Sequence, residues 1–234
     1  MRIVVSGKGG SGKTTIAGLL ARLIARAADA GQDRPVIALD LDPTPTLGLV
    51  LGIGPEATAR LAAPGRAGES FAAPRWVQAP DGVLLLVPAD SSMLHPAGTH
   101  EGFAGFGRSP HSWMVVNLPV AAVAGDPPAA GDLFLIVAEP TSASLAVGRG
   151  LAARAGASEV VIVANRVEGP EDVREVRRSF SGYEIVQVPD DDSIDEASRH
   201  GISPLELDSR SSAVRSVETL ARRFAPHPAL LRGA

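Results

Sequence analysis

Gly7-Lys8-Gly9-Gly10-Ser11-Gly12-Lys13-Thr14 stands between a short apolar run, Ile3-Val4-Val5, and a long amphipathic segment, 14–28. The eight residues fit G-x-x-x-x-G-K-[ST], and each part of that pattern has a physical reason. Glycines let the backbone bend until its N–H groups converge on a small volume, which suits phosphate oxygens. The start of the following helix adds favourable partial charge. Lys13 brings a full positive charge to the β- and γ-phosphates of a nucleotide, and the Thr14 hydroxyl is a ligand for Mg²⁺. The pattern needs a strand before it and a helix after it. Both are predicted: Ile16, Leu19, Leu20, Leu23, Ile24 and Ala27 fall on one helical face. Gly9, Gly10, Ser11, Gly12, Lys13, Thr14 and Thr15 are therefore expected to hold the phosphates of ATP or ADP.

Outward from this loop, Val- and Ile-rich runs alternate with helical patterns. Strands are predicted at 3–5, 36–39, 83–87, 113–116, 133–138, 160–164 and 184–188. Continuous apolar runs of this length imply strands buried on both faces. Helices are predicted at 14–28, 142–155, 170–180, 194–200 and 211–224. The stretches 54–81 and 91–112 lack periodicity and read as irregular loops or short helices. The expected fold class is α/β: a P-loop NTPase with a mostly parallel sheet covered by helices on both faces. With 234 residues, a single domain over 1–234 is expected.

Composition narrows the function classes. The net charge of −4 gives no signal for nucleic acid, which demands a concentrated basic surface. The absence of cysteine excludes disulfides and thiolate metal sites. No apolar run approaches the roughly 18 residues of a membrane span. Met1-Arg2-Ile3-Val4-Val5 runs straight into a strand without the regions of a secretory signal, so the expected location is the cytoplasm.

A second lysine early in the loop, Lys8, cannot easily reach its own phosphates. The string Lys8-Gly9-Gly10-Ser11-Gly12-Lys13-Thr14-Thr15 resembles the deviant Walker A ATPases, the group containing MinD, ParA and the nitrogenase iron protein. The resemblance implies a nucleotide-sandwich homodimer in which Lys8 contacts the partner's ATP. It also assigns roles to the acidic loop after the second strand, where Asp40 is expected near Mg²⁺ and Asp42 is expected to orient the attacking water. The longer string Asp40-Leu41-Asp42-Pro43-Thr44-Pro45-Thr46-Leu47-Gly48-Leu49 resembles the CooC-type ATPases that serve carbon monoxide dehydrogenase maturation. By the same resemblance, Asn165 is expected on the base, with Arg166 beside it and Pro189-Asp190 in a second base-contacting loop. Asn165-Arg166-Val167-Glu168 also faintly echoes the N-K-x-D of guanine-reading proteins, which keeps GTP open.

The chain departs from the family pattern in three places. Asn117 stands where the family has the Walker B aspartate, so Mg²⁺ affinity and hydrolysis are expected to suffer; Asp126 and Asp132 align less well. The family's metal-holding cysteine pair is missing. The helix before the Walker B strand is reduced to 102–107, where Phe103 and Phe106 are expected to cap the core. His95, His100 and His111 nearby fit no metal signature.

Three functions follow as expectations. One is a slowly hydrolysing ATP-driven dimer switch acting on a client protein or metalloenzyme complex. Another is a spatial organiser at a membrane or nucleoid, for which the amphipathic segment 211–224 would supply membrane contact; that segment equally suits a helix docked on the core. The third is a pseudo-ATPase that binds nucleotide without turning it over.

Overall fold

The computed structural model describes residues 1–28, 34–62, 75–87, 112–123, 127–156 and 158–224. Eight strands form one sheet among them: β1 (Arg2–Gly7), β2 (Val36–Asp40), β3 (Arg75–Gln78), β4 (Leu84–Val87), β5 (Trp113–Asn117), β6 (Leu133–Ala138), β7 (Glu159–Val167) and β8 (Glu184–Pro189). Their order is β3-β4-β2-β5-β1-β6-β7-β8. Every neighbouring pair is parallel except β3 with β4. The helices are α1 (Lys13–Ala28), α2 (Leu47–Val50), α3 (Pro55–Ala62), α4 (Val120–Val123), α5 (Ser142–Ala152), α6 (Pro170–Ser179), α7 (Asp192–His200), α8 (Pro204–Leu207) and α9 (Ser212–Phe224).

Successive strand side chains point to opposite faces of a sheet, and the core divides accordingly. Ile3, Val5, Val115, Leu135, Val161 and Val163 pack with α1 and α9. Their immediate neighbours Val4, Val116, Phe134, Ile136 and Ile162 pack on the other face with Leu145 and Leu151 of α5 and Val176 of α6. Central strands are buried on both sides, which is why they read as unbroken apolar runs.

The expected α/β architecture is present, with three corrections. The stretch 54–81 holds, besides the short helix α3 that the expectation allowed, the antiparallel strand β3, whose Arg75 and Val77 are half-buried and whose Trp76 and Gln78 are exposed. Strand β8 was expected to be buried on both faces; it is the opposite edge, and most of its residues keep solvent exposure. Helix α5 stops at Ala152, three residues short of the expected end, and the chain closes in two turns, Arg154 N–H to Leu151 C=O and Ala155 N–H to Ala152 C=O. The apolar face of α9 settles the alternative left open for 211–224: Ala213, Val214, Val217, Leu220 and Ala221 are buried in the core beside α1. His95, His100, His111, Phe103, Phe106 and Asp126 lie outside the described residues.

Candidate functional site

Gly7 ends β1, Asp40 ends β2, Asn117 ends β5 and Pro189 ends β8. All sit at the carboxyl edge of the sheet, where open α/β sheets place their ligands. Residues 8–12 link β1 to α1. The Ser11 N–H donates to the Lys8 carbonyl at 3.0 Å, closing a tight turn. Gly10 and Gly12 have φ of +84° and +88°, a left-handed conformation open to glycine at little cost. The Ser11 hydroxyl is buried with no partner among the described residues. Lys8 and Gly9 lie on the outer rim of the loop, and Lys8 Nζ donates to the Gly9 carbonyl at 3.3 Å. Lys13, at the start of α1, pairs with Asp42 at 2.8 Å.

Behind the loop, three polar residues meet from three elements. Asn117 Nδ2 donates to Asp40 Oδ1 at 2.8 Å and to Thr14 Oγ1 at 3.3 Å. Asp40 also accepts from the backbone N–H of Leu47 at 2.9 Å and of Asp42 at 3.2 Å. Among the described residues no cationic side chain pairs with Asp40, and burial pushes its carboxyl above the ordinary range despite these donors. Asn117 Oδ1 is buried and has no hydrogen-bond partner among the described residues. This corner therefore offers one carboxylate, one hydroxyl and one spare amide oxygen. Such a set suits Mg²⁺, which takes few protein ligands and completes its shell with phosphate oxygens and water. Among the described residues no group of three or more acidic or histidine side chains could hold a metal by itself. Asp132, the weaker alternative for the Walker B acid, lies at the opposite edge of the sheet, bonded to Arg2.

A cavity of ≈ 230 Å³ opens from the phosphate loop toward β7 and β8. It brings Gly10, Gly12, Lys13, Thr14 and Thr15 together with Asn165, Arg166, Pro189 and Asp190, residues widely separated in sequence. Glu168 is not on its wall. It lines a shallower neighbouring depression with Arg174 and Arg177, so the carboxylate that a guanine-reading motif needs faces elsewhere. Asn165, expected on the base, lines the cavity, and its Nδ2 donates to the Ser11 carbonyl at 2.9 Å. Arg166 reaches Glu139 at 3.0 Å and Asp195 at 3.3 Å.

Sequence reasoning missed the apolar wall supplied by Leu19, Ile194 and Ala213. By resemblance Asp191 belongs to the second base-contacting loop; what the sequence reading missed is that it joins α7 to α9. Its carboxylate caps α7 through the Ser193 N–H (3.1 Å) and accepts from the Ala213 N–H (2.9 Å) and the Ser212 hydroxyl (2.8 Å). Burial opposes its charge, yet these donors outweigh burial and hold the carboxyl well below its usual range. An Asp before a helical pattern is a capping signal, but its second role could not be read locally.

The comparisons with known proteins agree with this geometry. The family profile of the CobQ/CobB/MinD/ParA nucleotide binding domain (CbiA) matches residues 2–205. The chain is 27% identical to the carbon monoxide dehydrogenase accessory protein CooC of Rhodospirillum rubrum, covering 97% of this chain and 98% of that protein. Its fold matches the septum site-determining protein MinD of Pyrococcus horikoshii complexed with Mg-ADP, with TM-score 0.63, 19% identity, and coverage of 100% of this chain and 98% of that one. It also matches a ParA family ATPase from Chlorobium tepidum, with TM-score 0.66, 17% identity, and coverage of 94% and 96%. With the phosphate loop, the acidic corner and the cavity at one edge of the parallel sheet, and the profile running through nearly all of them, this chain belongs to the CobQ/CobB/MinD/ParA nucleotide-binding domain family.

Proposed function

We propose that this protein is an ATP-dependent dimer switch that hydrolyses ATP slowly and acts on a client protein or metalloenzyme complex. The observation that carries the reading is a cradle with two lysines in different places. Lys13 lines the phosphate cavity, whereas Lys8 is not on its wall and among the described residues has only its neighbour's carbonyl as partner. A rim lysine can make charge-assisted contacts with phosphates held by a second copy, and those contacts exist only when nucleotide is present. ATP should therefore convert a monomer into a dimer. Size-exclusion chromatography with light scattering should show monomer with ADP and dimer with ATP and Mg²⁺, and Lys8→Ala should stay monomeric with both. A Lys8→Ala protein that dimerises like the parent would refute the role.

Within each site, Lys13 exchanges its Asp42 partner for phosphate oxygens. Freed Asp42 then orients the attacking water. Gly9 to Thr15 supply backbone and side-chain donors to the phosphates, and Asn165, Arg166, Pro189 and Asp190 border the base. Thr14, Asp40 and Asn117 would hold Mg²⁺, which when bound neutralises phosphate charge. Positioning and electrostatics do most of the work in phosphoryl transfer, and most of that apparatus is here. Asn117 brings no charge, so turnover is slow and the ATP-bound state long-lived. The likeness to CooC supports a metalloenzyme client. The lack of cysteine means that a cysteine-held metal is not part of this chain's role.

Asn117 also favours a second reading, a pseudo-ATPase regulatory subunit. Measurable phosphate release at high Mg²⁺ supports the switch; normal ATP binding with no release at any Mg²⁺ level supports the pseudo-ATPase. The membrane organiser loses its main support, because the apolar face of α9 is spent on the core. Among the described residues no helix is long and apolar enough to cross a membrane.

A further inference from the structure

Asn165 does something that a base reader alone need not do. Strand β7 carries a register irregularity between Ala164 and Val167, and Arg166 within it has φ of +56°. Such a conformation costs energy for a residue with a side chain and persists only where its surroundings enforce it. Here Glu139 at the end of β6 and Asp195 on α7 hold the Arg166 guanidinium from two sides. At this irregularity the Asn165 side chain, still within β7, lies against the phosphate loop. A Cβ on Gly12 would lie 2.3 Å from Asn165 Nδ2. The bare Cα of Gly12 is thus what lets the amide come close enough to bond the Ser11 carbonyl.

We propose that Asn165 is a positioning residue for the phosphate loop, its amide fixing the Ser11–Gly12 peptide so that the cradle is set before any ligand enters. The peptide unit is planar and trans. Anchoring the Ser11 carbonyl therefore fixes the direction of the Gly12 N–H, one of the donors such a loop offers to phosphate. Asn165 keeps a second N–H and its Oδ1, neither with a partner among the described residues. One side chain can thus touch a base and the loop together. The inference rests on the nucleotide reading of the cavity and goes beyond it, because it concerns a ligand with no base.

The test compares ATP with inorganic tripolyphosphate, each with Mg²⁺, by isothermal titration calorimetry on the full chain, Asn165→Ala and Asn165→Leu. The leucine variant keeps volume beside Gly12 and guards against a fold lost to a void. A buried acceptor left without its donor costs enough to weaken tripolyphosphate about 10-fold, with ATP weakened at least as much. Tripolyphosphate affinity unchanged while ATP weakens would overturn the proposal and leave Asn165 as a base reader. A parent protein that binds neither ligand would overturn the nucleotide reading itself. Amide hydrogen exchange over 7–15 without ligand gives a second measurement, and it decides alone where tripolyphosphate binds too weakly to titrate. Faster exchange in the variants, confined to that segment, supports the proposal, and unchanged exchange overturns it. A purely structural role would instead lower protection across the strands.

Discussion

Each edge of the sheet buries a carboxylate, and the two are treated differently. At the amino edge, Asp132 accepts from Arg2 Nε at 3.0 Å and from the Ala129 N–H at 2.7 Å, so a guanidinium balances its charge. At the carboxyl edge, Asp40 is as deeply buried, but among the described residues it has only amide donors, while Asn117 Oδ1 beside it has no partner there. Buried charge is expensive unless paired. The balanced edge is complete as it stands. The unbalanced edge has the character of a site whose remaining partner is a ligand. Lys13 sharpens the contrast, because its ion pair with Asp42 joins a cation on the cavity wall to a loop anion that a phosphate can replace.

The largest effect should come from the unbalanced edge. Lys13→Ala should weaken ATP binding by at least ~100-fold in calorimetry, since it removes the charge that faces the phosphates. Undiminished affinity would break the comparison at its root. The matching change at the balanced edge is Arg2→Ala. It should leave ATP affinity untouched and lower the unfolding free energy by about 3 kcal/mol, because Asp132 is left buried without its cation. Urea denaturation measures this, and a loss of nucleotide binding at full stability would contradict the division between the edges.

Asn117→Asp probes the unbalanced edge more gently. With Mg²⁺ the restored carboxylate should raise the hydrolysis rate about 10-fold and lower the Mg²⁺ requirement. Without a cation the same change should lower the melting temperature, since two carboxylates would meet across the 2.8 Å now spanned by an N–H···O bond. If neither quantity moves, Asn117 does not occupy the Walker B role.

The smallest effect concerns Asp191, a carboxylate at the carboxyl edge that is fully satisfied by hydrogen bonds. Its folded pKa is depressed, so its stabilisation is present above the unfolded value of about 3.9 and is lost as pH falls below it. Asp191→Ala should cost about 1 kcal/mol at pH 7 through the lost helix cap. The gap between parent and variant should narrow below about pH 4. Thermal melts across pH 3–7 would show it, and a gap that widens on acidification would mean the wrong sign.

What could be read from the sequence follows from distance along the chain. The phosphate loop is contiguous, its glycines and lysine sit at fixed offsets, and the buried strands β1, β2, β5 and β6 are unbroken apolar runs. Strand β3 escaped because Arg75-Trp76-Val77-Gln78 is four residues long, half exposed and polar at both ends. Nothing next to Arg22 in the sequence marks it as buried. Its partners Asp81 and Glu206 are 59 and 184 positions away. The Asn165–Ser11 bond spans 154 positions and the Asn117–Asp40 bond 77. Motifs name the residues of such a site, but tertiary structure decides which of them bond to each other.

The place of α9 has a consequence for synthesis. Ala213, in the first turn of that helix, lines the nucleotide cavity and follows Lys13 by 200 positions. A ribosome would release the phosphate loop early and the opposite wall of its cavity late. Contacts this distant close slowly and leave apolar surface waiting, with α1 uncovered until α9 arrives. During that interval the loop has its glycines and its lysine but no pocket. Nucleotide capture would then mark the end of folding, and ATP in the surrounding solution would reward only those chains whose two distant helices have already met.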